Sequence, residues 1–152
     1  MPHVKQQARD AVQVLLTGLP TSGARLFPAK RLPWDNAAGQ MPGIAFYLDA
    51  ETVFPIDKEG RQRRDMVLTV DMAGRSQDDL LLDDQLIAME TEVQAALGGD
   101  PKLGGLLSEK MRLLRVAPPP PDASLGDAYM VRRHEYALSV IVMEGDPTQV
   151  AP

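Results

Sequence analysis

Arg61–Leu97 reads RQRRDMVLTVDMAGRSQDDLLLDDQLIAMETEVQAAL, and its two halves repeat with different periods. In the first half Arg64, Met66, Leu68, Val70 and Met72 alternate with Arg63, Asp65, Val67, Thr69 and Asp71. Strand side chains point to opposite faces in turn, so this half predicts a strand with one buried and one wetter face. In the second half Leu82, Leu86, Met89, Val93 and Leu97 recur every three or four residues, which makes one apolar stripe along a helix. Asp83, Asp84, Glu90, Glu92 and Gln94 fall off that stripe. Gly74 is expected to break the strand. Ser76 is expected to cap the helix, with Asp78 and Asp79 in its first turn at the positive end of the helix dipole. Gly98 and Gly99 should stop it. A long strand feeding a long amphipathic helix is the frame that the remaining segments must fit.

Upstream, Gly43–Asp49 (GIAFYLD) predicts a strand apolar on both faces and therefore central. Ala50–Gly60 is expected to be a connection, long for a hairpin, that exposes Val53, Phe54 and Ile56 beside Asp57, Lys58 and Glu59. Val4–Leu16 predicts a first helix, with Val4, Ala8, Ala11, Val12, Leu15 and Leu16 on its apolar face and Pro2 suited to a first-turn position. Ala24–Leu32 predicts a short strand that Pro28 and Pro33 confine to an edge, and 33–40 a loop carrying Trp34. Downstream, GGDPKLGG (98–105) predicts a turn region, Lys110–Ala117 a strand stopped by Pro118–Pro121, and Ala128–Met143 the longest strand. The order helix, three strands, long helix, two strands predicts an α+β fold. Its mostly antiparallel sheet of about five strands carries both helices on one face. At 152 residues this is expected to be a single domain, 1–152, with a flexible C-terminal tail from about 145.

Composition narrows the function. The chain has no cysteine, which removes disulfides, thiol catalysis and cysteine-ligated metal together. A net charge of −5 argues against a general nucleic-acid binder. No run approaches the roughly 20 apolar residues of a membrane span, so no membrane is expected among the partners. His3 lies at a start expected to fray, and His134 reads as a surface or half-buried strand histidine. Asp78, Asp79, Asp83 and Asp84 are explained by the helix dipole and lack the alternating oxygen spacing of a calcium loop. GGDPKLGG lacks the order of a phosphate-binding loop. No catalytic residue, cofactor-binding residue or metal ligand is therefore assigned. Two features stay open. Arg61, Arg63 and Arg64, with Arg132 and Arg133, read either as charges protecting a sheet edge or as an ion-paired subunit contact. Val53, Phe54 and Ile56 either tuck under their own sheet or meet another chain, and the length of their connection favours the second.

Four segments together resemble a known family: DAVQVLLTGLPTSGARLF (Asp10–Phe27), PGIAFYLDAET (Pro42–Thr52), the alternating strand followed by DDLLLDDQLIAMETEV (Asp78–Val93), and the closing MEGDP (Met143–Pro147). In this order they are similar to the tail terminator proteins of long-tailed bacteriophages, which are minor tail or neck proteins. The resemblance implies a structural virion protein that is not an enzyme and needs no cofactor. It implies a homo-hexameric ring on the head-proximal end of the tail tube, ending polymerisation and providing the head–tail joining surface. The implied partners are other copies of itself, the major tail tube protein and a head-completion (neck) protein, with DNA only passing through the lumen. The implied location is the tail or neck of the virion, assembled in the cytoplasm of the bacterial host. Val53, Phe54, Ile56, Arg61 and Arg63 are the expected interface residues. The alternatives are another neck component, either a head-closure or a head–tail adaptor protein, a monomeric module that binds a partner strand at a sheet edge, or a small enzyme.

Overall fold

A computed structural model describes residues 2–30, 34, 39–117 and 129–151. Among these residues, two helices pack on a six-stranded, mostly antiparallel sheet, an α+β fold. The elements are α1 (Val4–Leu16), β1 (Leu26–Pro28), β2 (Gly43–Pro55), β3 (Arg61–Arg75), α2 (Asp79–Gly98), β4 (Arg112–Ala117), β5 (Tyr129–Met143) and β6 (Asp146–Val150). The sheet order is β1-β2-β3-β5-β4, and β6 lies beyond β4 along the same edge of β5. Only β1 runs parallel to its neighbour.

β3 is central, and its alternation sets the layers. Met66, Leu68, Val70 and Met72 are buried toward the helices. Their cross-strand neighbours continue that face: Ile44 and Phe46 on β2, and Tyr136 and Leu138 on β5, with Val140 next along it opposite Arg64. Val4, Ala8, Val12 and Leu16 from α1, with Leu82, Leu86, Met89, Val93 and Leu97 from α2, close the core from above. Both helical stripes and the buried face of β3 are those the spacing predicts. On the opposite face a smaller cluster forms from Trp34, Met41, Ala45, Ala73 and Val131 against Phe27. The Phe27 and Trp34 rings meet edge-on, 5.9 Å apart.

Several expectations need correction. Gly74 does not break β3, which runs on to Arg75. It is needed because α2 passes so close: a Cβ there would lie 2.8 Å from Gln85 Oε1 and 3.1 Å from methyls of Leu82 and Leu86. The cap of α2 is Asp78, which accepts from the N–H of Leu80 (2.9 Å) and Leu81 (3.1 Å). Ser76 instead accepts from the N–H of Asp78. The start of α1 does not rely on Pro2 in its first turn. His3 caps it: Nδ1 accepts from the N–H of Lys5, and Gln6 returns the bond to the N–H of His3.

The tail expected to be flexible from about 145 contains a strand, β6. After Glu144, Gly145 takes φ +79° and lets the chain reverse into β6. β6 is then fastened to α1 by Gln7 Nε2 donating to the Thr148 carbonyl at 2.7 Å. The turn region after α2 also contributes to the core, through buried Leu103 and Leu107. The short upstream strand is only Leu26–Pro28. Most of the 33–40 loop, and the proline run Pro118–Pro121, lie outside the described residues.

Candidate interaction surface

The stretch expected to be a loose connection is largely strand. β2 continues past Asp49, shifts register through a bulge before Thr52, and pairs on to Pro55. Ala50 takes φ +53° at that bulge. Val53 then lies opposite Arg64, and Phe54 opposite Arg63. Residues 56–60 make the turn, and the Ile56 N–H donates to the Arg61 carbonyl at 2.9 Å. Thr52, Val53 and Phe54 are residue types that favour strands. The many charges and Pro55 around them concealed that.

The result is a β2–β3 hairpin end, here called the arm, which β5 continues on the far edge of β3 and which carries apolar groups on both faces. Val53 shares the helix side with Arg64, while Phe54 shares the other with Arg63. Val53, Phe54 and Ile56 are 46%, 41% and 46% exposed, too open to count as core. The guanidinium of Arg63 lies 4.7 Å from the Phe54 ring centre and 3.1 Å from Asp65. Arg61 is drawn back onto Asp57, Nε to Oδ2 2.5 Å. Asp57 also accepts from the N–H groups of Glu59 and Arg61. These bonds, led by the one from Arg61, hold the Asp57 carboxyl below its ordinary range. All five residues named from the sequence therefore gather on this arm.

The arginines do not gather into one group. Met72 lies opposite Arg132 and Arg61 opposite Met143, so the two sets sit at opposite ends of the sheet. Arg132 joins α2 to β5 through Glu90 (2.7 Å) and Asp83. Arg133 turns to the other face and grips Asp71.

His134 is not a surface or half-buried histidine. It is fully buried, with Nε2 3.0 Å from Glu90 and Nδ1 3.5 Å from the Tyr136 hydroxyl. Burial, with the Glu90 charge beside it, pushes the Tyr136 hydroxyl up to about 12. The group clamps α2 onto β5. Its signal was the alternation Arg132, His134, Tyr136 facing a helix that carries Asp83 and Glu90 two turns apart. Hollows on the described surface include one of about 160 Å³ beside Lys5, Arg9 and Tyr47 and one of about 190 Å³ beside Leu97, Met111 and Tyr136. Neither joins a nucleophile to a base. Among the described residues no cluster of three or more His, Asp or Glu could hold a metal ion. No helix there is long and apolar enough to cross a membrane.

Glu51 anchors the base of the arm. It pairs with Lys5 of α1 at 2.9 Å and with Arg64 of β3 at 3.0 Å. Desolvation alone would raise its pKa, but Lys5 and Arg64 together outweigh it and hold the carboxyl below the ordinary 4.5. A carboxylate with a depressed native pKa adds stability above its unfolded value and loses it as pH falls through the native one. Glu51→Gln is therefore expected to lower stability at pH 7 and to flatten the loss of stability on going below pH 4.5. Urea unfolding of both proteins at pH 7 and at acid pH measures this. Equal acid slopes would show that the pair contributes nothing to the pH dependence.

No known protein family matches the sequence, and no curated protein does. Among solved structures, a chain of the virion of a native gene transfer agent particle is similar at 15% identity. The likeness covers 90% of this chain and 89% of that one, with a TM-score of 0.41. A likeness this distant assigns neither partner nor role.

Proposed function

We propose that this chain is a structural protein of a phage-like particle and forms a ring at the end of a tail tube. The observation that carries the proposal is the arm: a hydrogen-bonded sheet end, flanked by β5, that leaves Val53, Phe54 and Ile56 exposed on both of its faces. Apolar groups held out on a rigid element are suited to meeting another chain. The resemblance to tail terminator proteins supplies the particular role. In this reading the ring is hexameric, caps the head-proximal end of the tube, stops its growth and offers the surface that joins the head. Its partners are further copies, the major tail tube protein and a head-completion protein. DNA only passes through the lumen, which a chain of net charge −5 does not grip. The protein works in the tail or neck of the virion, without catalysis or cofactor.

Val53→Ser with Phe54→Ser tests the proposal. The fold should survive, since the loss of the Phe54–Arg63 contact is worth only about 0.5–1 kcal/mol at an exposed site. Circular dichroism should show a melting temperature within a few degrees of wild type. Sedimentation should show loss of the ring, and electron microscopy tails that overgrow or fail to join heads. Normal assembly by this variant would make the arm incidental. A ring that binds head connectors and ignores tube ends would point to a head-closure or adaptor protein instead.

A further inference from the structure

The strand β4 lies at a margin of the sheet with its apolar residues in water. Leu113, Leu114 and Val116 are 41%, 49% and 52% exposed. Leu113 lies opposite Tyr136 and Val116 opposite His134, and His134 turns toward Glu90 of α2. Leu113 and Val116 therefore share the helix side of the sheet. α2 packs over β3 and β5 and leaves this side of β4 open. Where the end of α2 meets the start of β4, the surface sinks into the hollow of about 190 Å³, walled by Leu97, Pro101, Met111 and Leu113 over Tyr136. An apolar cavity of about 150 Å³ holds a benzene-sized ring, so this one has room for a single large apolar side chain.

The segment around the hollow is basic in an acidic chain. Residues 98–117 carry Lys102, Lys110, Arg112 and Arg115 against Asp100 and Glu109, while the whole chain has a net charge of −5. Arg115 is paired with Glu135 at 2.6 Å, and Asp100 accepts from the N–H of Gly104 at 2.9 Å. Lys102, Lys110 and Arg112 are exposed and pair with no acid among the described residues. Lys102 follows Pro101, and Lys110 and Arg112 flank Met111. The Met111 N–H donates to the Pro101 carbonyl at 2.8 Å, which holds these two stretches together beside the hollow.

We propose that the hollow receives a large apolar side chain from an acidic segment of a different protein, whose carboxylates meet Lys102, Lys110 and Arg112. The inference rests on the proposed function and deepens it, by giving the chemistry through which a neighbouring particle protein is recognised. The arm assigned to contacts between copies belongs to β2 and β3, whereas β4 lies beyond β5 at the other margin. Both contacts can therefore be made at once. Free cations beside an apolar anchor site steer an acidic partner and fix its register. A nucleic-acid strand would want aromatic side chains to stack on, and residues 98–117 contain none. The bulge between Leu113 and Arg115 breaks the ladder, so the partner enters by its side chain rather than as an added strand.

Fluorescence anisotropy of the wild-type chain with a labelled synthetic peptide, acidic throughout except for one central phenylalanine, tests this. Binding should saturate, weaken with added salt and fall at least about tenfold when alanine replaces the phenylalanine. Leu113→Ser should bind the two peptides alike. Lys110→Gln with Arg112→Gln should weaken both, and each variant should melt within a few degrees of wild type. Unsaturable peptide binding, or equal binding of the two peptides by wild type, would overturn the site and leave the ring standing. An oligothymidylate bound as tightly as the peptide would overturn the protein partner in favour of phosphate. Loss of self-association in Leu113→Ser would assign the hollow to a second copy and overturn the separate partner. Peptide binding by a chain that builds no ring would support the site and overturn the ring.

Discussion

Leu68→Asp is expected to abolish cooperative unfolding at 25 °C, because too little of the folded state should remain to melt. Leu68 sits at the middle of the central strand and is fully buried. Leu48 flanks it on β2 and Tyr136 on β5. A carboxylate placed there would be buried in the apolar core, and the arginines of that face, Arg64 and Arg132, are already paired with Glu51 and with Asp83 and Glu90. Burying a charge without a partner costs several kcal/mol, even when the group takes up a proton to escape. Domains of this size are stable by only about 5–15 kcal/mol. The neighbouring position provides the contrast. Val67 faces the other side of the sheet, is only partly buried and lies opposite Asp49. Val67→Lys should cost about 1 kcal/mol or less, since opposite charges across a strand pair attract. Urea titration of the two variants side by side reads out which face is the core. Similar behaviour would mean that the layering is wrong.

The next largest effect is expected at Arg133. Its guanidinium holds Asp71 in a two-pronged contact, Nε to Oδ1 2.7 Å and Nη2 to Oδ2 2.9 Å. Asp71 is 1% exposed. The bond to Asp71 outweighs burial and keeps the arginine pKa raised. Arg133→Met removes the cation and leaves the carboxylate buried among Ala45, Ala73 and Val131. Breaking a buried pair in this way costs about 3–5 kcal/mol. Removing both charges is a different matter. Asp71→Val with Arg133→Met should recover most of the loss, because a buried ion pair is often no more stabilising than apolar side chains of similar size. A double-mutant cycle in urea measures the coupling. If Arg133→Met alone costs under 1 kcal/mol, Asp71 must find water or another donor when the arginine is gone.

Much of this fold is legible from spacing. The buried face of β3, the stripes of both helices and the long β5 follow from periods of two and of three to four, which core packing enforces. What spacing does not reveal is closeness of approach. Gly74 looks like a strand breaker until α2 is seen lying against it. A polar tail looks frayed because the bonds that order β6 are backbone bonds to β5, for which polar side chains are no obstacle. His134 looks ordinary because its partner, Glu90, lies 44 residues earlier. The arm is an intermediate case: its exposure is readable from apolar residues among charges, whereas its strand pairing is hidden by the bulge that shifts its register.

The bulges have a further consequence, for which kind of association is open to this sheet. Among the described residues β2 pairs with β1 only through Phe46, and no strand continues along that side of its later residues. β4 forms the other margin on the far side. Open margins recruit stray strands and lead to fibrils. Here β2 is kinked between Asp49 and Thr52 and ends on Pro55, which has no N–H to offer. β4 is kinked between Leu113 and Arg115 and carries Arg112 and Arg115. Neither margin presents a straight run of strand, a geometry that disfavours edge-to-edge addition of a further strand.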